Sequence, residues 1–302
     1  MRSIVGEQGT MSIADDCLRI DRSRIAGSGP DLDHFQAGPW MKSRFRKRST
    51  TLMIEAQNLT KVFGATLAVD GVSFQVQPGE IYGFLGPNGA GKTTTIRLLT
   101  GTLFPTSGQV RILNMNMVSQ EIQIKQEIGV VPDEPRLYEN LKGSEYIDFV
   151  TDIYRLRKQE ILPEIKELCE AFAIDFLDKA IGEYSHGMKQ KLMLLSVLMR
   201  KPKALFLDEP TVGLDARSAR ILKMLLEKYA AGGAPIFMTT HIMEIAEKMC
   251  HRIAIINKGK LVAEGTMEEL RKASGEQNAT LEDIFLQVTG TGENIEELVK
   301  EL

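Results

Sequence analysis

Nine residues constrain this chain more than any others: Gly86, Pro87, Asn88, Gly89, Ala90, Gly91, Lys92, Thr93 and Thr94. They fit the pattern GxxxxGK[ST] in full. Its glycines reach backbone angles closed to residues with a Cβ, so successive N–H groups can converge on one phosphate. The strand-like run IYGFL (81–85) precedes the loop and the helix-like KTTTIRLLT (92–100) follows it. The positive end of the helix dipole therefore meets the same anion. In such a loop Lys92 contacts the β- and γ-phosphates, Thr93 places its hydroxyl on Mg²⁺, and Thr94 meets the α-phosphate. The loop implies a nucleotide and leaves open what the nucleotide is for.

The rest of the chain supplies the sheet that the loop requires. Short apolar runs recur at ALFLD (204–208), IFMTT (236–240) and IAIIN (253–257), each bounded by turn or polar residues. Buried parallel strands read this way. Amphipathic helical segments lie between them at 92–100, 187–200, 216–230 and 243–250. The alternation predicts an α/β core with a parallel sheet. Residues 140–200 carry helical patterning without strands, so a helical subdomain is expected there, over about 134–200. Residues 1–52 differ from the rest, with GSGP at 27–30 and the basic run KSRFRKR at 42–48. They are expected to be a disordered extension, or to precede a true start at Met53. The cassette proper is expected to run over 53–270, with a C-terminal helical extension over 271–302.

A magnesium–phosphate site needs a carboxylate at the end of an apolar strand. Asp208 ends ALFLD and Glu209 follows it. Asp208 is placed to hold Mg²⁺ through water, and Glu209 to polarise an attacking water. The segment Asn257-Lys258-Gly259-Lys260 has lysine where the NKxD reader of guanine has aspartate, so guanine specificity is unsupported.

Upstream of Asp208 lies Tyr184-Ser185-His186-Gly187-Met188, starting 24 residues earlier (208 − 184). This segment resembles the LSGGQ signature of the ATP-binding cassette (ABC) superfamily. Ser185 and Gly187 match its positions, while Tyr184, His186 and Met188 depart from the consensus. Two more family elements follow in order. Thr211-Val212-Gly213-Leu214-Asp215 resembles the D-loop, and Thr239-Thr240-His241 the switch histidine. Phe63, in KVFG, matches the aromatic that stacks on adenine; a core phenylalanine is the lesser alternative. Asp133 stands where family members carry glutamine.

The resemblance covers about residues 53–290. It implies a P-loop NTPase (RecA-like) fold with a parallel-sheet core, an antiparallel β subdomain and the inserted helical subdomain. It implies that Ser185, His186, Gly187 and Met188 contact the γ-phosphate of ATP held by a second subunit, and that Asp215 lies at the dimer interface. It implies that His241 holds Glu209 and the γ-phosphate, and that Asp133 joins Thr93 and Asp208 around Mg²⁺. The segment TLEDIFLQVTG (280–290) is similar to the end of cassettes that serve two-component exporters. The expectation is an ATP-hydrolysing subunit, paired as a homodimer, on the cytoplasmic face of the cell membrane. It would power an integral membrane permease on a separate chain.

Composition narrows the rivals. Lys plus Arg number 37 against 40 acids, giving a net charge of −3, so no basic excess points to nucleic acid. That weighs against a soluble ATPase of this superfamily acting on nucleic acid or the ribosome. So does the spacing of 92 residues between Lys92 and Tyr184 (184 − 92), too short for a long coiled coil. A non-hydrolysing regulatory subunit is disfavoured by Asp208, Glu209 and His241. Cys17, Cys169 and Cys250 are far apart and odd in number, which implies a reducing compartment. No run of about 18 uncharged apolar residues exists, and no secretory leader is apparent.

Overall fold

The computed structural model describes residues 53–276 and 278–290. The expectation for residues 1–52, and that for the last part of 271–302, fall outside the described residues.

The described residues divide into two compact units. One gathers Pro135–Lys201 and Gly213–Ser218; the other holds Pro202–Val212 with 53–134 and 219–290. The larger unit contains two sheets. In the first, β1 (Ile54–Phe63), β2 (Thr66–Val76), β4 (Ser107–Ile112) and β5 (Met115–Asn116) pair antiparallel in the order β2-β1-β4-β5. In the second, β3 (Ile81–Leu85), β6 (Ile128–Val131), β7 (Ala204–Asp208), β8 (Ile236–Thr240), β9 (Arg252–Asn257) and β10 (Lys260–Gly265) run in the order β10-β9-β3-β8-β7-β6. All its neighbours are parallel except β10 on β9.

Strands β3, β7 and β8 are buried at every position. That is the demand of a sheet covered on both faces, and it is why these runs lack polar alternation. Phe74 of β2 joins Tyr82, Phe84 and Phe237 of the parallel sheet, with ring centroids 5.3 to 5.8 Å from its own. The two sheets thus share one core. Each fully buried phenylalanine there contributes about 2–3 kcal/mol of transfer free energy.

Register places the site. Leu85 pairs with Thr240, and Asp208 with Thr239. The carboxyl ends of β3, β8 and β7 therefore lie side by side, and the residues that follow each strand emerge together. In open α/β sheets this edge is where ligands bind. Helix α1 (Lys92–Leu99) follows β3, and the short helix α2 (Glu121–Glu127) precedes β6.

The smaller unit is helical. It comprises α3 (Gly143–Ile153), α4 (Lys158–Phe172), a 3₁₀ turn at Ile181–Glu183 and α5 (His186–Leu198). Helix α6 (Ala216–Ala231) begins at its last residues, and α7 (Met243–Met249) follows β8. Met267–Ser274 and Leu281–Thr289 form α8 and α9. Each opens on a threonine capping box, with Glu269 or Asp283 reaching back, and closes on a left-handed glycine, Gly275 or Gly290. The boundary expected at 270 thus falls inside α8. Leu270, Leu281, Ile284 and Phe285 bury against Leu85, Ile253 and Ile255, so these helices close one side of the parallel sheet. Among the described residues, no helix is long and apolar enough to cross a membrane.

Candidate functional site

The loop from Gly86 to Gly91 turns between β3 and α1 with Gly89 and Gly91 at positive φ, 79° and 108°. At Gly91 a Cβ would also lie 2.6 Å from the carbonyl of Ala68. Glycine is therefore required there twice over, by angle and by space. Gly86 is buried, and a Cβ on it would come within 2.5 Å of the Ile256 carbonyl. Pro87, Asn88 and Gly89 are exposed, and Ala90 is buried under them. Thr93 and Thr94 are half-buried in the first turn of α1.

Lys92 is buried, and its Nζ donates to the Gly86 carbonyl at 2.7 Å and the Pro87 carbonyl at 3.3 Å. It also lies 3.7 Å from Glu209 Oε1. The same Glu209 oxygen is 2.8 Å from His241 Nδ1, and Glu209 Oε2 accepts from the His241 N–H at 3.3 Å. Lysine, glutamate and histidine therefore form one connected group. Asp208 is buried and accepts a short hydrogen bond from the Thr239 hydroxyl. Thr239 in turn takes the Glu209 N–H on its carbonyl at 3.2 Å and its hydroxyl at 3.3 Å.

Glu209 has φ +48°, an uncommon angle for a residue with a side chain. Backbone strain of this kind is stored where geometry matters more than stability. Three ionisable side chains buried together, Lys92, Asp208 and Glu209, carry a desolvation cost that structural sites seldom bear.

Asp133 follows β6 and is exposed. Partial loss of water, then the charges of Asp208, Glu209 and Glu134, push its carboxyl above the usual range, with His241 opposing. The charges at the ends of β6 and β7 thus act on one another through space.

Phe63 is 47% exposed at the tip of the β1–β2 hairpin, so its ring is not part of the core. Lys61 Nζ sits 5.1 Å from its ring centroid, anchored on the Phe104 carbonyl at 2.8 Å. The segment 257–260 is a hairpin turn with Lys258 and Gly259 at positive φ, 47° and 80°, the geometry of a type I′ connection.

The signature segment lies in the smaller unit. Tyr184 is buried, its ring edge-on to Phe176 at 4.8 Å and its hydroxyl donating to the Phe176 carbonyl at 2.7 Å. The tyrosine that departs from consensus thus anchors the loop. Ser185 caps α5, accepting the Met188 N–H at 3.3 Å. Ser185 and His186 are exposed; Gly187 and Met188 are half-buried. Asp215 accepts from the Ser218 N–H at 2.7 Å and pairs with Lys191 at 2.8 Å.

Two residues in this geometry carried no assigned role in the sequence. Thr239 holds the Asp208 carboxylate and the Glu209 backbone N–H, and only its place in the TTH run hinted at it. Lys191 pairs with an acid 24 positions away (215 − 191), a contact without a local signal.

A strand–loop–helix phosphate cradle beside a carboxylate-ended parallel strand defines a P-loop nucleotide-binding ATPase. The model of the ABC transporter family matches residues 69–212. The chain is 39% identical over 240 residues to the probable multidrug ABC transporter ATP-binding protein YbhF of Escherichia coli, covering 78% of this chain and 41% of that protein. The chain thus spans less than half the length of that relative. It is 37% identical to the Nod factor export ATP-binding protein I of Burkholderia pseudomallei, over 73% of each. With the linearmycin resistance ATP-binding protein LnrL of Bacillus subtilis it shares 35% identity, over 80% of this chain and 76% of that one. A solved ATP-binding subunit of an ABC transporter superposes with a TM-score of 0.75 at 29% identity, over 78% of this chain and 99% of that one. The chain belongs to the ABC transporter family, as one of its ATP-binding cassettes.

Proposed function

We propose that this chain is the ATP-hydrolysing subunit of an exporter, working as a homodimer on a separate membrane permease at the cytoplasmic face. The observation that carries the reading is the connected group Lys92–Glu209–His241 beside Asp208, at the ends of adjacent parallel strands. Export is supported by the names of the relatives, which speak of multidrug transport, Nod factor export and linearmycin resistance.

The loop N–H groups and Lys92 hold the β- and γ-phosphates, and Phe63 offers its exposed ring to the base. Lys92 then exchanges its Glu209 contact for phosphate oxygens. Glu209, released from Lys92 and oriented by His241 and the Thr239 backbone, accepts hydrogen bonds from the attacking water and takes its proton. His241 presents its exposed edge to the γ-phosphate. The chemistry asked of the protein is positioning and electrostatics.

Among the described residues, no group of three or more His, Cys, Asp or Glu side chains forms a metal cage. Mg²⁺ would be held by the Thr93 hydroxyl, Asp208 and Asp133, with phosphate oxygens completing its shell. When bound, it neutralises charge on the β- and γ-phosphates. A solved dimeric cassette in a post-hydrolysis state, bound to ADP and Pi, shares this fold at a TM-score of 0.63. In the dimer proposed here, Ser185, His186, Gly187 and Met188 of one copy cover the nucleotide of the other, as the signature resemblance implies.

Replacing Glu209 tests the site. Glu209→Gln lowers kcat by about 10²-fold or more, the share of a general base, with nucleotide affinity retained in an equilibrium titration. Lys92→Ala weakens that affinity. Unchanged turnover in Glu209→Gln would remove the carboxylate from the mechanism.

A further inference from the structure

The signature loop and the Gly213–Asp215 turn are both exposed, far apart in sequence, and held together inside the smaller unit. Three contacts join them. A Cβ on Gly187 would lie 2.5 Å from the Gly213 carbonyl, so the two backbones touch. A Cβ on Gly213, whose φ is +79°, would run into the His186 ring. The third contact is the ion pair between Lys191 Nζ and Asp215 Oδ2 at 2.8 Å.

The first two are contacts between small or exposed groups and restrain little by themselves. The ion pair is different. Lys191 follows Gly187 by four residues, so both lie on one face of α5. Its side chain is only 15% exposed. Asp215 is held from the other side by the Ser218 N–H at 2.7 Å and hydroxyl at 3.0 Å, which fix it to the start of α6. The Ser185 hydroxyl accepts from Met188 and keeps its own hydrogen to donate outward.

We propose that Lys191 is a positioning residue: it ties the D-loop turn to the signature helix so that both present to a second copy's nucleotide as one rigid half-site. This rests on the reading above, in which the signature loop covers a nucleotide held by another copy. Lys191 touches no nucleotide itself. Its worth to stability is that of a half-exposed pair, which is small. Its worth to turnover is geometric, because a slight misplacement of a phosphate-binding group away from the reacting atoms is costly.

The test uses the purified full chain as wild type, Lys191→Met, Lys191→Arg and Ser185→Ala. Steady-state hydrolysis of MgATP, equilibrium binding of a fluorescent ATP analogue and the thermal midpoint are measured for each. Lys191→Met is expected to lower kcat by roughly tenfold to a hundredfold, while the analogue's affinity and the midpoint stay near wild type. Lys191→Arg, which keeps the charge, is expected to restore most of the rate. Wild-type kcat in Lys191→Met beside a slow Ser185→Ala would overturn the role of Lys191 and leave the half-site reading standing. Wild-type kcat in both would overturn the half-site reading itself. A loss that arginine fails to restore, or one that tracks a falling midpoint, would make Lys191 a structural residue only.

Discussion

At the scale of single residues, the site depends on side chains held by several partners at once. Glu209 takes an uncommon backbone angle, two contacts from His241 and one from Lys92, so its orientation does not rest on any one of them. Asp215 shows the same economy at the surface. Partial burial would raise its pKa, but the Lys191 ammonium and the Ser218 donors hold it down to about 2. Its folded value therefore lies below the unfolded value of about 3.9. The stability it contributes is present above pH 4 or so and is lost as pH falls toward 2. Asp215→Asn keeps a helix cap and removes the ion pair, so it should cost less than about 1 kcal/mol at pH 7. Thermal midpoints of the two proteins should converge as pH falls through that window. A gap that stayed constant would mean the carboxylate charge is not the stabilising element.

At the scale of elements, strand ends and helix starts carry the chemistry. Parallel pairing in register delivers the phosphate loop, Asp208 and His241 to one edge, and α1 opens directly behind the loop. The signature helix shows how tightly the smaller unit is drawn. Gly187→Ala forces the α5 and Gly213 backbones apart, at about 1–3 kcal/mol for overpacking. Chemical denaturation should register that loss, and hydrolysis should fall with it, while the Lys92 side of the site still binds nucleotide. Wild-type stability in this variant would show that the crossing relaxes without cost.

At the scale of the whole molecule, the prediction concerns partners. Blocking hydrolysis while keeping nucleotide binding should accumulate the two-nucleotide sandwich. Glu209→Gln with MgATP is therefore expected to double its mass by light scattering, and the wild type with ADP is not. Affinity purification from detergent-solubilised membranes should retain a multi-helix membrane protein in fixed ratio. Recovery of ribosomes or nucleic acid instead would move the soluble ATPase reading ahead.

Much of this was legible along the chain. The phosphate loop, the acids after ALFLD, the histidine after IFMTT and the order of strands and helices are local patterns. Their causes are local as well: glycine's freedom at positive φ, apolar runs that only a covered sheet can bury, and caps that open helices. The sequence by itself determined that this is a nucleotide-binding α/β cassette and which side chains are candidates to serve it. Only the tertiary structure decided that Phe63 stands exposed, that helices α8 and α9 close the sheet, and that Thr239 and Lys191 orient the acids beside them. Those outcomes depend on which strands become neighbours and which backbones touch. Such contacts join residues tens of positions apart, and nothing within either segment records them.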